Sequence, residues 1–166
     1  MSQLDIRIGT LTGLGTAPGI IPQILPHGFE SFALTLWENI GPIDLDKIAA
    51  QLPDVLAGKA VISSVGLFGN PLQNESTARD FELLIKKAPQ FGTKLVCGFA
   101  GAVEGKPVPE SMGQFKKIWG RLVKVAEDHG CRIAFENCDM AGTWDAPLWN
   151  IAHAPTAWEM LFNEVP

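Results

Sequence analysis

Five strand-like runs, at positions 6–11, 29–37, 60–67, 94–99 and 131–136, alternate along this chain with helix-like connections, and no sixth run follows the last of them. Phe81, Leu84, Ile85 and Ala88 repeat with helical period, as do Phe115, Ile118, Trp119, Leu122, Val123 and Ala126. Leu45, Ile48, Ala49 and Leu52 mark a third helix, and Ala157, Trp158, Leu161 and Phe162 mark the last. The first connection holds Pro18, Pro22 and Pro26, so any helix there is expected to be short or broken. Strict alternation implies parallel strands with right-handed crossovers, either in an open doubly wound sheet or in part of a (βα)8 barrel.

Side-chain parity chooses between the two. Phe32, Leu34 and Leu36 share one face of the second strand, against Ser31, Ala33 and Thr35. Ile133 and Phe135 oppose Arg132, Ala134 and Glu136 in the fifth, and Ile6 and Ile8 oppose Arg7 and Gly9 in the first. A doubly wound sheet carries helices on both faces and needs bulk on both. One bulky and one small or polar face favours a barrel wall. The third strand is ambiguous, since Val61 and Val65 oppose Ile62.

The 166 residues suffice for one domain, and an apolar fraction of 46% fits a buried α/β core. A net charge of −5 argues against a nucleic-acid partner, which clustered Lys and Arg would hold. No apolar stretch of about 18 residues suggests a membrane span. The sequence enters its first strand at Asp5-Ile6-Arg7-Ile8 with no charged leader before it, so a signal peptide is not expected. Cys97, Cys131 and Cys138 form no C-x-x-C pair, and the last two flank one strand, roughly 20 Å apart at about 3.3 Å per residue. Free thiols in a cytoplasmic protein are the expectation.

Barrel chemistry gathers at the C-terminal ends of the strands. Those positions hold Trp37-Glu38-Asn39, Phe68-Gly69-Asn70-Pro71, Phe99-Ala100-Gly101 and Glu136-Asn137-Cys138-Asp139. Plain readings stand beside functional ones. Gly69-Asn70-Pro71 is a turn signal, Trp37 can cap a core, and Glu38 and Asp139 can be solvated charges. Glu136 ends an apolar strand on the small-residue face, so it must be paired, protonated or bound to a cation. Both a metal or catalytic use and a structural pair with Arg132 or Arg7 satisfy that demand. His27, His129 and His153 lie outside the strand ends. No P-loop, dinucleotide fingerprint or nucleophile elbow occurs.

The run Arg132-Ile133-Ala134-Phe135-Glu136-Asn137, after a long helix ending in Ala126-Glu127-Asp128-His129-Gly130, resembles the fifth strand of the sugar phosphate isomerase/epimerase family. The segments at 25–32, Phe68-Gly69-Asn70-Pro71-Leu72 and Trp149-Asn150-Ile151-Ala152-His153 are similar to that family at matching places. The resemblance implies a xylose-isomerase-like TIM barrel of which residues 1–166 form one truncated domain, the first five of eight βα units. It implies that Glu136 is one of four ligands to a divalent cation (Mn, Mg, Co or Zn) and a proton-transfer group. The other ligands, Asp, His and Glu, would come from later strands. Trp37, Asn70 and Trp144 become substrate-binding candidates.

The function this implies is the N-terminal part of a metal-dependent sugar isomerase or epimerase, acting on a small sugar, sugar acid or polyol by proton transfer beside a carbonyl. Alternatives are a polyol or keto-acid dehydratase of the same fold and an inactive truncated barrel that serves binding or assembly. Abasic-site endonucleases share the family, and the acidic charge argues against them. The isolated chain is expected to be inactive and to bind metal weakly, and either to self-associate or to bind a complementary C-terminal half.

Overall fold

A computed structural model describes residues 6–165; Asp5 and Pro166 lie outside that span. Five strands form one parallel sheet in chain order: β1 Gly9–Gly13, β2 Ser31–Trp37, β3 Val61–Phe68, β4 Leu95–Gly98 and β5 Arg132–Phe135. Sequential order, with each strand beside its predecessor, is the wall of a barrel and not a doubly wound sheet.

The connecting helices are α1 Ala17–Ile24, α2 Leu45–Leu56, α3 Glu75–Lys87, α4 Val108–Asp128 and α5 Pro155–Glu164. Local chemistry sets their ends. Asp44 Oδ1 accepts from Lys47 N–H at 3.0 Å to start α2, and Asn74 Oδ1 accepts from Ser76 N–H at 3.0 Å to start α3. With Pro18 in its first turn and Pro22 inside it, α1 is only 8 residues long. It passes through a 3-10 turn at Leu25–His27 and stops at Gly28, whose φ of 87° suits a residue without Cβ.

Burial follows the predicted parity on β2, where Phe32, Leu34 and Leu36 are buried against the helices. A register shift settles β3. Phe32 pairs with Ile62 and Ala33 with Ser64, so Ser63 is an extra residue, and Ile62, Val65 and Leu67 all reach the core. β1 differs from the expectation. Ladder pairing starts only at Gly9, opposite Ser31, and Ile6 and Ile8 are 81% and 66% exposed. Thr12 and Leu14 carry the buried face instead, while Leu11 is exposed beside the concave cavities.

Core aromatics fix the sheet to α3 and α4. Trp119, fully buried, lies edge-on to Phe81 (5.1 Å between centroids) and Phe135 (4.6 Å), and its Nε1–H donates to Ala100 O at 2.7 Å. Phe81 packs close against β4 at Gly98, where a Cβ would strike the Phe81 ring and Leu67 O. The cavities on the opposite face of the sheet are lined by strand and loop residues, with no residue of a described helix among them. No described helix is long and apolar enough to cross a membrane.

Candidate functional site

The C-terminal strand ends are tied together by two buried or half-buried asparagines. Asn150, fully buried, uses its whole amide. Its Oδ1 accepts from Ala100 N–H (3.0 Å) and Ala152 N–H (3.2 Å), and its Nδ2 donates to Glu136 O (2.9 Å) and Cys138 O (2.8 Å). One side chain therefore joins the end of β4, the end of β5 and the loop that leads to α5. Glu136 N–H donates to Gly98 O at 2.9 Å, so the Glu136 peptide groups are held on both sides. Asn150 belongs to a run singled out by its resemblance, but nothing in the sequence marks it as the clamp.

Asn70 does the same work one strand over. Its Oδ1 accepts from Leu72 N–H (3.2 Å) and Ala102 N–H (2.9 Å), and its Nδ2 donates to Ala102 O at 2.9 Å. Its amide is committed to loop backbone, as a turn signal would have it.

Glu136 opens onto the concave face. It borders a cavity of about 460 Å³ with Leu11, Trp37, Phe68, Phe99 and Cys138, and a deeper one of about 270 Å³ with Cys97 and Ser64. It is the sole carboxylate among the residues that line these two cavities, and no Lys or Arg joins it. Its carboxylate has no ion-pair partner among the described residues, so the structural pair with Arg132 or Arg7 is not formed.

Aromatic rings build the wall beside it. Trp37, 58% exposed, stacks on Trp149 at 5.5 Å and 24°, and Phe99 stands edge-on to both Trp37 (6.2 Å) and Phe68 (5.3 Å). Trp149 is a site residue that sequence reasoning passed over. Of the predicted set, Glu136 and Trp37 share a cavity, Asn70 lines a neighbouring one, and Trp144 sits in the loop before α5 with its carbonyl accepting from Val108 N–H at 2.9 Å.

The concave thiol reports on Glu136. Burial pushes the Cys97 thiol above its ordinary range; a hydrogen bond with Ser64 opposes this, and the Glu136 carboxylate adds to the rise. The thiolate is the alkylating form, so a raised thiol reacts slowly near neutral pH. Removing the carboxylate charge removes one cause of the rise. Site-resolved mass spectrometry of iodoacetamide labelling should therefore find the Cys97 profile of Glu136→Gln displaced to lower pH, with faster labelling at any pH below the plateau. An unmoved profile would place the carboxylate away from Cys97.

The described residues do not by themselves fit a divalent cation. Such an ion takes several oxygen or imidazole donors, and no group of three or more His, Cys, Asp or Glu able to hold a metal occurs among the described residues. Glu136 supplies one donor.

No family profile matches this sequence, and no curated protein matches it either. Solved structures do. D-allulose 3-epimerase from Methylomonas sp., in complex with D-allulose, superposes with a TM-score of 0.64 at 19% identity over 96% of this chain and 59% of its own. A sugar phosphate isomerase/epimerase from Parabacteroides distasonis gives 0.61 at 14% identity, covering 99% of this chain and 66% of its own. An AP endonuclease of family 2 from Brucella melitensis gives 0.66 at 12% identity, covering 96% and 65%. The chain spans 56% to 66% of the length of such structures. At these identities the likeness establishes the fold, five consecutive βα units of a xylose-isomerase-like TIM barrel. The same fold houses epimerases and a nuclease, so the chemistry must be argued from the site.

Proposed function

We propose that the concave face binds a small, uncharged keto sugar and that Glu136 transfers the proton on the carbon beside its carbonyl. The observation that carries this reading is the lining of the cavity: one carboxylate, an aromatic wall of Trp37, Phe68 and Phe99, and no cationic side chain. Aromatic faces suit the C–H faces of a sugar ring, and a lone carboxylate suits general-base work. A phosphate, whether on a sugar or in a nucleic-acid backbone, would find no cationic side chain among those lining residues and would face the Glu136 carboxylate, which supports the epimerase branch of the fold over the nuclease branch. A divalent cation bound here would take Glu136 as one donor and the rest from outside the described residues. Incubation of D-fructose and D-allulose in D2O, with this chain and with its reading frame extended past codon 166, tests the reading. Deuterium appearing beside the carbonyl supports it. Loss of water from the substrate instead would indicate a dehydratase, and no exchange by either protein would remove the reading.

The sheet edges support association as a second property of this chain. β1 pairs only with β2, and β5 only with β4, which leaves a backbone edge at each end among the described residues. Beside β5 an apolar groove of about 520 Å³ runs along α4 and α5, with Phe162 61% exposed. Further strands from a longer chain, a complementary chain or a second copy would satisfy both edges.

A further inference from the structure

We propose that the cavity on the far side of the Trp37–Trp149 stack is a second sugar subsite, so that the concave face prefers a glycoside-linked sugar to a free monosaccharide. The proposal rests on the reading of the concave face given above. This second cavity, about 300 Å³, is lined by Glu38, Asn70, Gln73, Asn74, Glu104 and Trp149 among others. Its volume suits one hexose ring, and its lining differs from that of the first: amides and carboxylates around one aromatic face.

Hydrogen bonds already formed within the wall leave a defined set of groups for a ligand. Asn70 is fully engaged with backbone. Asn74 Oδ1 accepts from Ser76, and Gln73 Oε1 accepts from Glu104 N–H at 3.1 Å. Those bonds turn Gln73 Nε2 and Asn74 Nδ2 into oriented donors. The carboxylates of Glu38 and Glu104 have no ion-pair partner among the described residues. Two donors and two acceptors around an indole match the alternating hydroxyls and the apolar face of a sugar ring.

The wall is also built rigidly. Glu38 holds a left-handed backbone (φ 62°) unusual for a residue with a side chain. Its N–H donates to Phe68 O at 3.0 Å, its carbonyl accepts from Thr77 Oγ1 at 3.0 Å, and Asn39 N–H returns to Trp37 O at 2.7 Å. Gly69 gives room for this turn, since a Cβ there would lie 2.8 Å from Glu38 O. Strain retained at a cleft by several bonds is a mark of a binding position. The same turn directs consecutive residues to different cavities, Trp37 to the first and Glu38 to the second.

Ligand-detected NMR with D-fructose and with lactulose, a galactosyl-fructose, tests the subsite. Lactulose is expected to bind at least tenfold more tightly. The paired substitution Gln73→Ala/Glu104→Ala, both at exposed positions, should remove that advantage and leave D-fructose binding unchanged. Equal affinities, or an advantage that survives the paired substitution, would overturn the second subsite alone. If neither sugar binds, the concave-face reading fails and takes this one with it.

Discussion

Asn150→Ala is expected to lower the unfolding free energy by about 4 kcal/mol, at about 1 kcal/mol for each of its hydrogen bonds. The substitution removes four hydrogen bonds and leaves two buried N–H groups and two part-buried carbonyls without those partners. A net loss of about 1 kcal/mol per bond is the ordinary cost, and an unsatisfied buried group costs about 1–3 kcal/mol. Against a typical domain stability of about 5–15 kcal/mol, that is a large share. Asn150→Asp separates geometry from size. It keeps the two acceptor contacts but sets carboxylate oxygen against the carbonyls of Glu136 and Cys138, so it too should destabilise. Urea unfolding followed by tryptophan fluorescence reads both, and a loss below about 1 kcal/mol for Asn150→Ala would mean that the clamp is not formed.

Glu136→Gln is expected to remove proton transfer while leaving the fold intact. The side chain is exposed at the strand end and forms no ion pair among the described residues, so its charge contributes little to stability. A positioned general base contributes about 10²- to 10⁴-fold to rate, and glutamine preserves shape while abolishing basicity. In whichever form of the protein exchanges deuterium, the variant should lose that factor in kcat with KM changed far less. An unchanged exchange rate would assign the proton transfer to another group.

Most of the architecture was legible because strand parity is a physical demand and not a statistical one. Phe32, Leu34 and Leu36 had to be buried on one side, and they are. The β3 ambiguity arose from the extra residue at Ser63, an irregularity that inverts parity without changing composition. β1 starts three residues later than expected because Ile6 and Ile8 look like core, yet the ladder with β2 begins only at Gly9 opposite Ser31 and both isoleucines are exposed. At the site, Glu136 and Trp37 were accessible to sequence reasoning because strand position alone aims them. The Asn150 and Asn70 clamps were not, since an asparagine in a turn-rich segment has the same appearance whether its amide meets solvent or four backbone groups. Trp149 became visible only once its stack on Trp37 was seen.

The pairing of Glu136 with the aromatic wall is the centre of this account, and the five tryptophan indoles give a map on which to test it. Heteronuclear NMR of the indole N–H signals during titration with D-allulose is the direct measurement. The Trp37 signal should move most and Trp149 with it, while Trp119, buried at 0% exposure behind the sheet, should stay fixed. In Glu136→Gln the same two signals should move at higher sugar concentration. Movement confined to Trp158, which lines the groove beside β5, or no movement at all, would contradict a sugar site on the concave face.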